Sequence, residues 1–201
     1  MYPGKYAQMH PERPAFIMAN TGEAVSYREF EARSNRLAQL LRAQGLKRLD
    51  HYAIFMENNN RFLEACSAGY RAGLYFTCIN SFLTPEEVAY IINNSESQLL
   101  VTSKAKLAVA AEALKSCPRV KLCLVVDGGA DLQPPFQDYA TAIAANPDTP
   151  IADEQLGTAM LYSSGTTGRP KGIVRPLPET PPSEPLPLFH FLHKLWRYRE
   201  D

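Results

Sequence analysis

Leu161-Tyr162-Ser163-Ser164-Gly165-Thr166-Thr167-Gly168-Arg169-Pro170-Lys171-Gly172-Ile173 is the stretch on which the rest of the chain turns. The apolar run Ala159-Met160-Leu161-Tyr162 enters it and reads as a buried strand, and a second apolar pair, Ile173-Val174, leaves it. Residues 164–172 between them carry no large apolar side chain: three are glycines, three bear hydroxyls, two are cationic and one is proline. Glycine lets a backbone take positive φ and approach a ligand closely. Successive N–H groups in such a turn converge into an anion-binding nest, and Ser and Thr add hydroxyl donors with little bulk.

The charge pattern agrees. No Asp or Glu occurs between residues 155 and 178, whereas Arg169, Lys171 and Arg175 all fall there. Lys171 is a flexible point charge suited to phosphate, so a polyphosphate is the natural guest. The spacing is not the Walker pattern, which sets four residues between Gly and Gly-Lys, and no G-x-G-x-x-G occurs for a dinucleotide.

The chain has 201 residues, enough for one or two small domains, with 45% hydrophobic and 21% charged residues. Its formal net charge is zero, which argues against a nucleic-acid or polybasic membrane partner. The first residues, Met1-Tyr2-Pro3-Gly4-Lys5, have no apolar signal core, and no run reaches the ~18 apolar residues of a membrane helix. Cys66, Cys78, Cys117 and Cys123 form no C-x-x-C pair and lie in or beside apolar segments. Buried free thiols and a reducing, cytoplasmic setting are expected.

In order, residues 1–14 read as Pro-rich and irregular. A first strand follows at 14–18, a hairpin turn at Asn20-Thr21-Gly22-Glu23, and a return at 24–26. Ser26 and Glu29 form a capping box for a helix over 27–44 that stops at Gly45. Strands are expected at 51–56, 74–79, 98–102 and 120–126. Between them come helices from Phe62 to near Gly73, from Thr84-Pro85-Glu86-Glu87 to Asn94, and over 104–116, with a short helix at 136–145. Strands alternating with helices predict an α/β fold with a doubly wound, largely parallel sheet and flanking helices. Ligands in such sheets lie beyond the carboxyl ends of the strands.

Seven of the sixteen prolines fall between Pro170 and Pro187. Residues 176–187 therefore read as an extended loop, and 188–201 as an amphipathic helix beginning a unit that is left unfinished. His190 and His193 share a face there, but no third metal ligand is evident.

Tyr162 to Gly172 resembles the phosphate-binding signature of the AMP-forming adenylating superfamily, which includes acyl-CoA synthetases, luciferases and peptide-synthetase adenylation domains. Val25-Ser26-Tyr27-Arg28-Glu29-Phe30, then Ser34-Asn35-Arg36-Leu37-Ala38, is similar to the family's early helix, and residues 80–87 resemble the segment after its third strand. The likeness is greatest to fatty-acid-type acyl-CoA synthetases, although Arg175-Pro176 departs from the usual His- or Thr-rich continuation. The resemblance implies that residues 1–175 are the N-terminal part of an adenylation domain. It implies contacts to ATP from Ser163, Ser164, Gly165, Thr166, Thr167, Gly168, Arg169, Pro170 and Lys171, with Lys171 also assisting catalysis and Thr166 touching Mg2+. The implied reaction joins a carboxylic acid, here of fatty type, to ATP as acyl-AMP and passes the acyl group to CoA.

The family's adenine- and ribose-binding elements, its hinge and its lid lysine have no counterpart in these residues. Two readings follow. The chain is a fragment of a ligase, inactive alone, or it is a stand-alone module that binds phosphate or a partner through its Pro-rich tail. Self-association and peripheral membrane contact stay open in both.

Overall fold

The computed structural model describes residues 2–163, 168–184 and 187–197. Its centre is a six-stranded sheet of β3 (His51–Phe55), β4 (Tyr75–Cys78), β5 (Leu99–Ser103), β6 (Leu122–Val126), β7 (Phe136–Asp138) and β8 (Thr158–Ala159). The spatial order is β7-β6-β5-β3-β4-β8, and every pairing is parallel. The expected doubly wound sheet is therefore present. From β3 the chain moves one way to β4 and then back across to β5, which places the reversal of direction between β3 and β5.

Both faces of the sheet are covered, so its central strands are apolar at successive positions rather than at alternate ones. Tyr52, Ile54, Leu99, Val101, Leu122 and Leu124 point to one face, where they meet Leu37, Leu41 and Ala65. Those partners come from α2 (Tyr27–Ala43) and α3 (Phe62–Arg71). Ala53, Phe55, Leu100, Cys123 and Val125 point to the other, against Val88, Ile92 and Ala110. There the covering elements are α4 (Pro85–Asn94) and α5 (Leu107–Leu114). The period-2 geometry of a strand thus divides one apolar run between two cores.

Local signals explain the helix boundaries. In α2, Ser26 Oγ accepts from Glu29 N (3.2 Å) and the Glu29 carboxylate accepts from Ser26 N (3.0 Å). Thr84 and Glu87 repeat the arrangement at α4, with Pro85 at the first helical position. Gly45 takes φ +88° just past α2, and the Leu46 N–H then reaches Leu41 O (3.1 Å) to close the helix end.

Several expectations need correction. The first residues are not wholly irregular: α1 (Gly4–Met9) forms there, with Tyr6 stacked on Tyr27 at 5.3 Å. Proline is tolerated at a helix start, so Pro3 did not exclude it. The segment at 136–145 begins as β7 and only then becomes α6 (Tyr139–Ala144), whose N-cap is Asp138. The helix at 104–116 is a single 3-10 turn, Lys104–Lys106, followed by α5. Three cysteines are buried, but Cys78 is exposed at the end of β4, with its Sγ 3.7 Å from that of Cys66.

The hairpin of β1 (Pro14–Ile17) and β2 (Ala24–Ser26) forms as expected around Gly22, at φ +73°. Residues 176–184 contain neither helix nor strand. They lie against the edge of the sheet, where Leu156 N donates to Thr180 O (2.9 Å) and Arg48 donates to Leu177 O (2.8 Å). The last helix, α7, runs Pro187–Trp196, one residue earlier than expected. The side chains of His190 and His193 lie outside the described ones, as do residues 198–201.

Candidate functional site: a hairpin beyond the edge of the sheet

The strand that enters the glycine-rich loop exists, but it is divided. β8 pairs with β4 in the register Tyr75↔Thr158 and Phe76↔Ala159. Met160 N adds one more bond to Phe76 O (3.0 Å), and the chain then leaves the sheet. Leu161–Ser163 becomes β9, which pairs antiparallel with β10 (Lys171–Ile173) instead. The apolar run at 159–162 was therefore not one buried strand, because it changes partners at Met160 and leaves Leu161 54% exposed.

Gly157 makes the close approach of β8 possible. A Cβ there would lie 2.1 Å from Gly69 O and 2.5 Å from Leu74 O, both backbone atoms that cannot move aside. Gly157 N also donates to Tyr70 O (2.7 Å), which ties the entry of β8 to α3.

The hairpin register is Ser163↔Lys171, Gly172↔Tyr162 and Ile173↔Leu161. Ser163 and Lys171 are therefore opposed across the mouth of the loop and project to the same face. The expected site residues Ser164, Gly165, Thr166 and Thr167 lie outside the described residues. Of the remainder, the fold brings Ser163, Gly168, Arg169, Pro170 and Lys171 together at one end of the hairpin. Lys171 is exposed, and it has no ion pair among the described residues.

A groove of about 820 Å³ runs between this end of the hairpin and α4, lined by Leu83, Glu86, Glu87, Tyr90, Asn93 and Arg169 among others. The Arg169 guanidinium lies over the Tyr90 ring at 5.0 Å. Tyr90 Oη donates to Pro170 O (3.0 Å), and Tyr162 Oη donates to Asn94 Oδ1 (2.7 Å). Partial burial, with Tyr90 beside it, pushes the Tyr162 phenol up to about 12, so at neutral pH it remains a donor. Sequence reading missed the α4 residues because Tyr90 and Asn94 are 80 and 68 positions from their partners. It also missed that folding brings Glu86 and Glu87 close to a segment free of acids in sequence, although the Glu87 carboxylate is engaged by Thr84 N (2.8 Å).

Two buried ionic clusters lie elsewhere. Arg71, fully buried in α3, donates to both oxygens of Glu31 (2.9 and 2.8 Å) and to Asn35 Oδ1, while Glu154 stands 3.1 Å away in charge contact. Glu64, also buried, is held by Arg61 (2.8 Å) and Arg33 (3.2 Å). Burial nevertheless raises its carboxyl above the usual range, against the pull of the two guanidinium groups. Both clusters join α2 to α3 and are accounted for by that packing. No group of three or more His, Cys, Asp or Glu able to hold a metal ion occurs among the described residues, and none of their helices is long and apolar enough to cross a membrane.

Comparison with known proteins agrees with the α/β fold. The chain is 33% identical over 171 residues to the 3-oxocholest-4-en-26-oate–CoA ligase of Rhodococcus rhodochrous, an alignment covering 82% of this chain and 30% of that protein. It is 32% identical over 177 residues to the medium-chain-fatty-acid–CoA ligase of Ectopseudomonas oleovorans, covering 84% and 32% respectively. Among solved structures, an anthranilate CoA ligase in complex with anthranoyl-AMP superposes with a TM-score of 0.75 at 19% identity, over 85% of this chain and 33% of that one. A fatty acyl CoA synthetase of Mycobacterium tuberculosis gives 0.70 at 22% identity, over 86% and 33%. The chain thus spans about a third of the length of these relatives. The sequence profile of the AMP-binding enzyme family matches residues 5–177, and the chain belongs to that family.

Proposed function

We propose that this chain supplies the phosphate-binding part of an acid–thiol ligase, one that activates a carboxylic acid of fatty type with ATP and transfers the acyl group to CoA in the cytoplasm. The observation that carries the reading is the unbroken sequence from Tyr162 to Gly172, whose flanks β9 and β10 pair so that Ser163 and Lys171 are opposed beyond the carboxyl end of β8. Its location in a chain whose family profile spans residues 5–177 supports the reading further.

In this reading the β- and γ-phosphates of ATP sit in the loop at 164–170. They receive backbone N–H groups, the hydroxyls of Ser163, Ser164, Thr166 and Thr167, and the Lys171 ammonium. These donors stabilise the charge that gathers on departing pyrophosphate when a carboxylate attacks the α-phosphorus. Magnesium fits the donor set as a companion of the triphosphate. Without an acidic cluster among the described residues to hold it alone, it would rest on phosphate oxygens, with the Thr166 hydroxyl as the protein contact. Turnover is assigned to a polypeptide that carries these residues together with the further length found in the relatives, and the 201-residue chain alone is assigned binding without turnover.

The test is acid-dependent exchange of pyrophosphate into ATP by the longest gene product containing these residues, wild type against Lys171→Ala. Exchange reduced roughly 10- to 100-fold is expected, the effect of removing a charge-assisted hydrogen bond. Full exchange by the variant would remove Lys171 from the site, and no exchange by the wild type would sink the ligase reading.

A further inference from the structure

The glycine-rich loop has two flanks, and a single helix face holds both. On the entering side, Tyr162 Oη donates to Asn94 Oδ1 (2.7 Å). On the leaving side, Pro170 O accepts from Tyr90 Oη (3.0 Å), and the Arg169 guanidinium stacks over the same ring at 5.0 Å. Tyr90 and Asn94 are four residues apart in α4, so they lie one turn above each other on one face.

That helix is well anchored. Val88, Ile91 and Ile92 are buried against the sheet, the Thr84–Glu87 box fixes its first turn, and Asn93 donates to Ser116 O (2.8 Å) beside α5. The Tyr90 ring packs at the margin of the core and Asn94 is exposed, so the Tyr90 hydroxyl and the Asn94 amide are not needed to fill it. Their polar atoms go to the hairpin. Directed hydrogen bonds from one rigid turn to both sides of a loop fix the separation of its ends. Arg169, engaged by the Tyr90 ring, acts in the same clasp.

We propose that Tyr90 and Asn94 are positioning residues that fasten both flanks of the loop to α4 and set the spacing of Tyr162 and Pro170 before a ligand arrives. Flanks held this way keep Ser163 and Lys171 opposed before the ligand arrives, which raises affinity by lowering the ordering cost. This consequence for affinity rests on the phosphate-binding reading above, whereas the clasp itself does not.

Hydrogen exchange on the intact 201-residue chain, without ligand, tests the clasp. In Tyr90→Phe, Asn94→Ala and the double variant, peptides spanning residues 161–173 should exchange roughly three- to tenfold faster, the scale of one lost hydrogen bond, while β3–β6 stay protected. Asn94→Asp keeps an acceptor for Tyr162 and should restore slow exchange, a rescue that a role in helix packing would not produce. Tyr162→Phe should add nothing to Asn94→Ala, since both remove the same bond. Wild-type exchange rates at 161–173 in the isosteric Tyr90→Phe and in Asn94→Ala would overturn the proposal, whether or not the double variant folds. The same proteins are then titrated with MgATP. Affinity lowered roughly three- to tenfold in step with faster exchange supports the functional half, and unchanged affinity overturns it. A loosened loop in the variants, with no MgATP binding even by the wild type, would keep the clasp and discard the phosphate-binding reading.

Discussion

The sheet and the hairpin are built in opposite ways. In the sheet, Tyr52, Ile54, Phe55, Leu100 and Leu124 are fully buried, and the strands are held from both faces. In the hairpin, Leu161, Ile173 and Val174 are about half exposed, Tyr162 alone packs against the core margin, and side-chain bonds from α4 and β4 add to the holding, among them Tyr75 Oη to Arg175 O (2.5 Å). The sheet gains its free energy from apolar area removed from water. The hairpin leaves Lys171 exposed. The difference teaches where a doubly wound fold can carry a reactive loop. At the switch point between β3 and β5, Ser103 Oγ donates to Glu57 Oε2 (2.6 Å), so those groups are satisfied by each other. The loop stands past β4, on the edge strand β8, where an outgoing chain is free to turn back on itself.

The same substitution made in both regions gives the sharpest contrast. Gly157→Ala forces a Cβ against two carbonyl oxygens, at 2.1 and 2.5 Å, and should cost about 4 kcal/mol or more in urea unfolding, or prevent folding. A loss under about 1 kcal/mol would mean that β8 is not seated as described. Leu124→Ala, a deletion in the buried centre of β6, should cost about 2–5 kcal/mol in the same assay. Gly172→Ala meets first the flexible Met160 side chain, at 2.3 Å, and then the Tyr162 ring at 3.0 Å. It should cost only about 1 kcal/mol, because Met160 can move. Equal losses at Gly157 and Gly172 would erase the distinction between the regions.

The smallest effect concerns acid. The Ser26 backbone N–H and hydroxyl hold the Glu29 carboxyl below its ordinary value of 4.5. The unfolded chain thus takes up its proton first as pH falls. The stabilisation is complete above about pH 4.5 and disappears as pH drops through the lower, folded value. Glu29→Gln should remove this part of the acid sensitivity, a change under about 1 kcal/mol because the pair is exposed and screened. Thermal melts of both proteins on either side of that pH would show it, and identical pH slopes would count against the capping role.

The sheet was legible because its signals are local. Apolar runs such as Leu122-Cys123-Leu124-Val125-Val126 bounded by turn residues mark strands, and the boxes at Ser26/Glu29 and Thr84/Glu87 mark helix starts. The chemistry of the loop was legible for the same reason, since its Gly, Thr and Lys are contiguous. What escaped was every feature decided by partners distant in sequence. The break at Met160 falls where the pairing of β8 with β4 ends, at Phe76. The strand at Phe136–Asp138 exists because Cys123, Leu124 and Val125 offer it an edge. The clasp of α4 on the hairpin joins residues 68 and 80 positions apart, and no periodicity within either segment announces it.

The most direct measurement is a titration of the 201-residue chain with MgATP, followed by backbone amide NMR shifts. Shifts concentrated at residues 163–173 are predicted, together with affinity lost roughly 10- to 100-fold in Lys171→Ala while its melting temperature holds. Shifts centred on Glu57 and Ser103 at the β3–β5 switch point, or an undiminished affinity in Lys171→Ala, would contradict the assignment of the hairpin as the phosphate site.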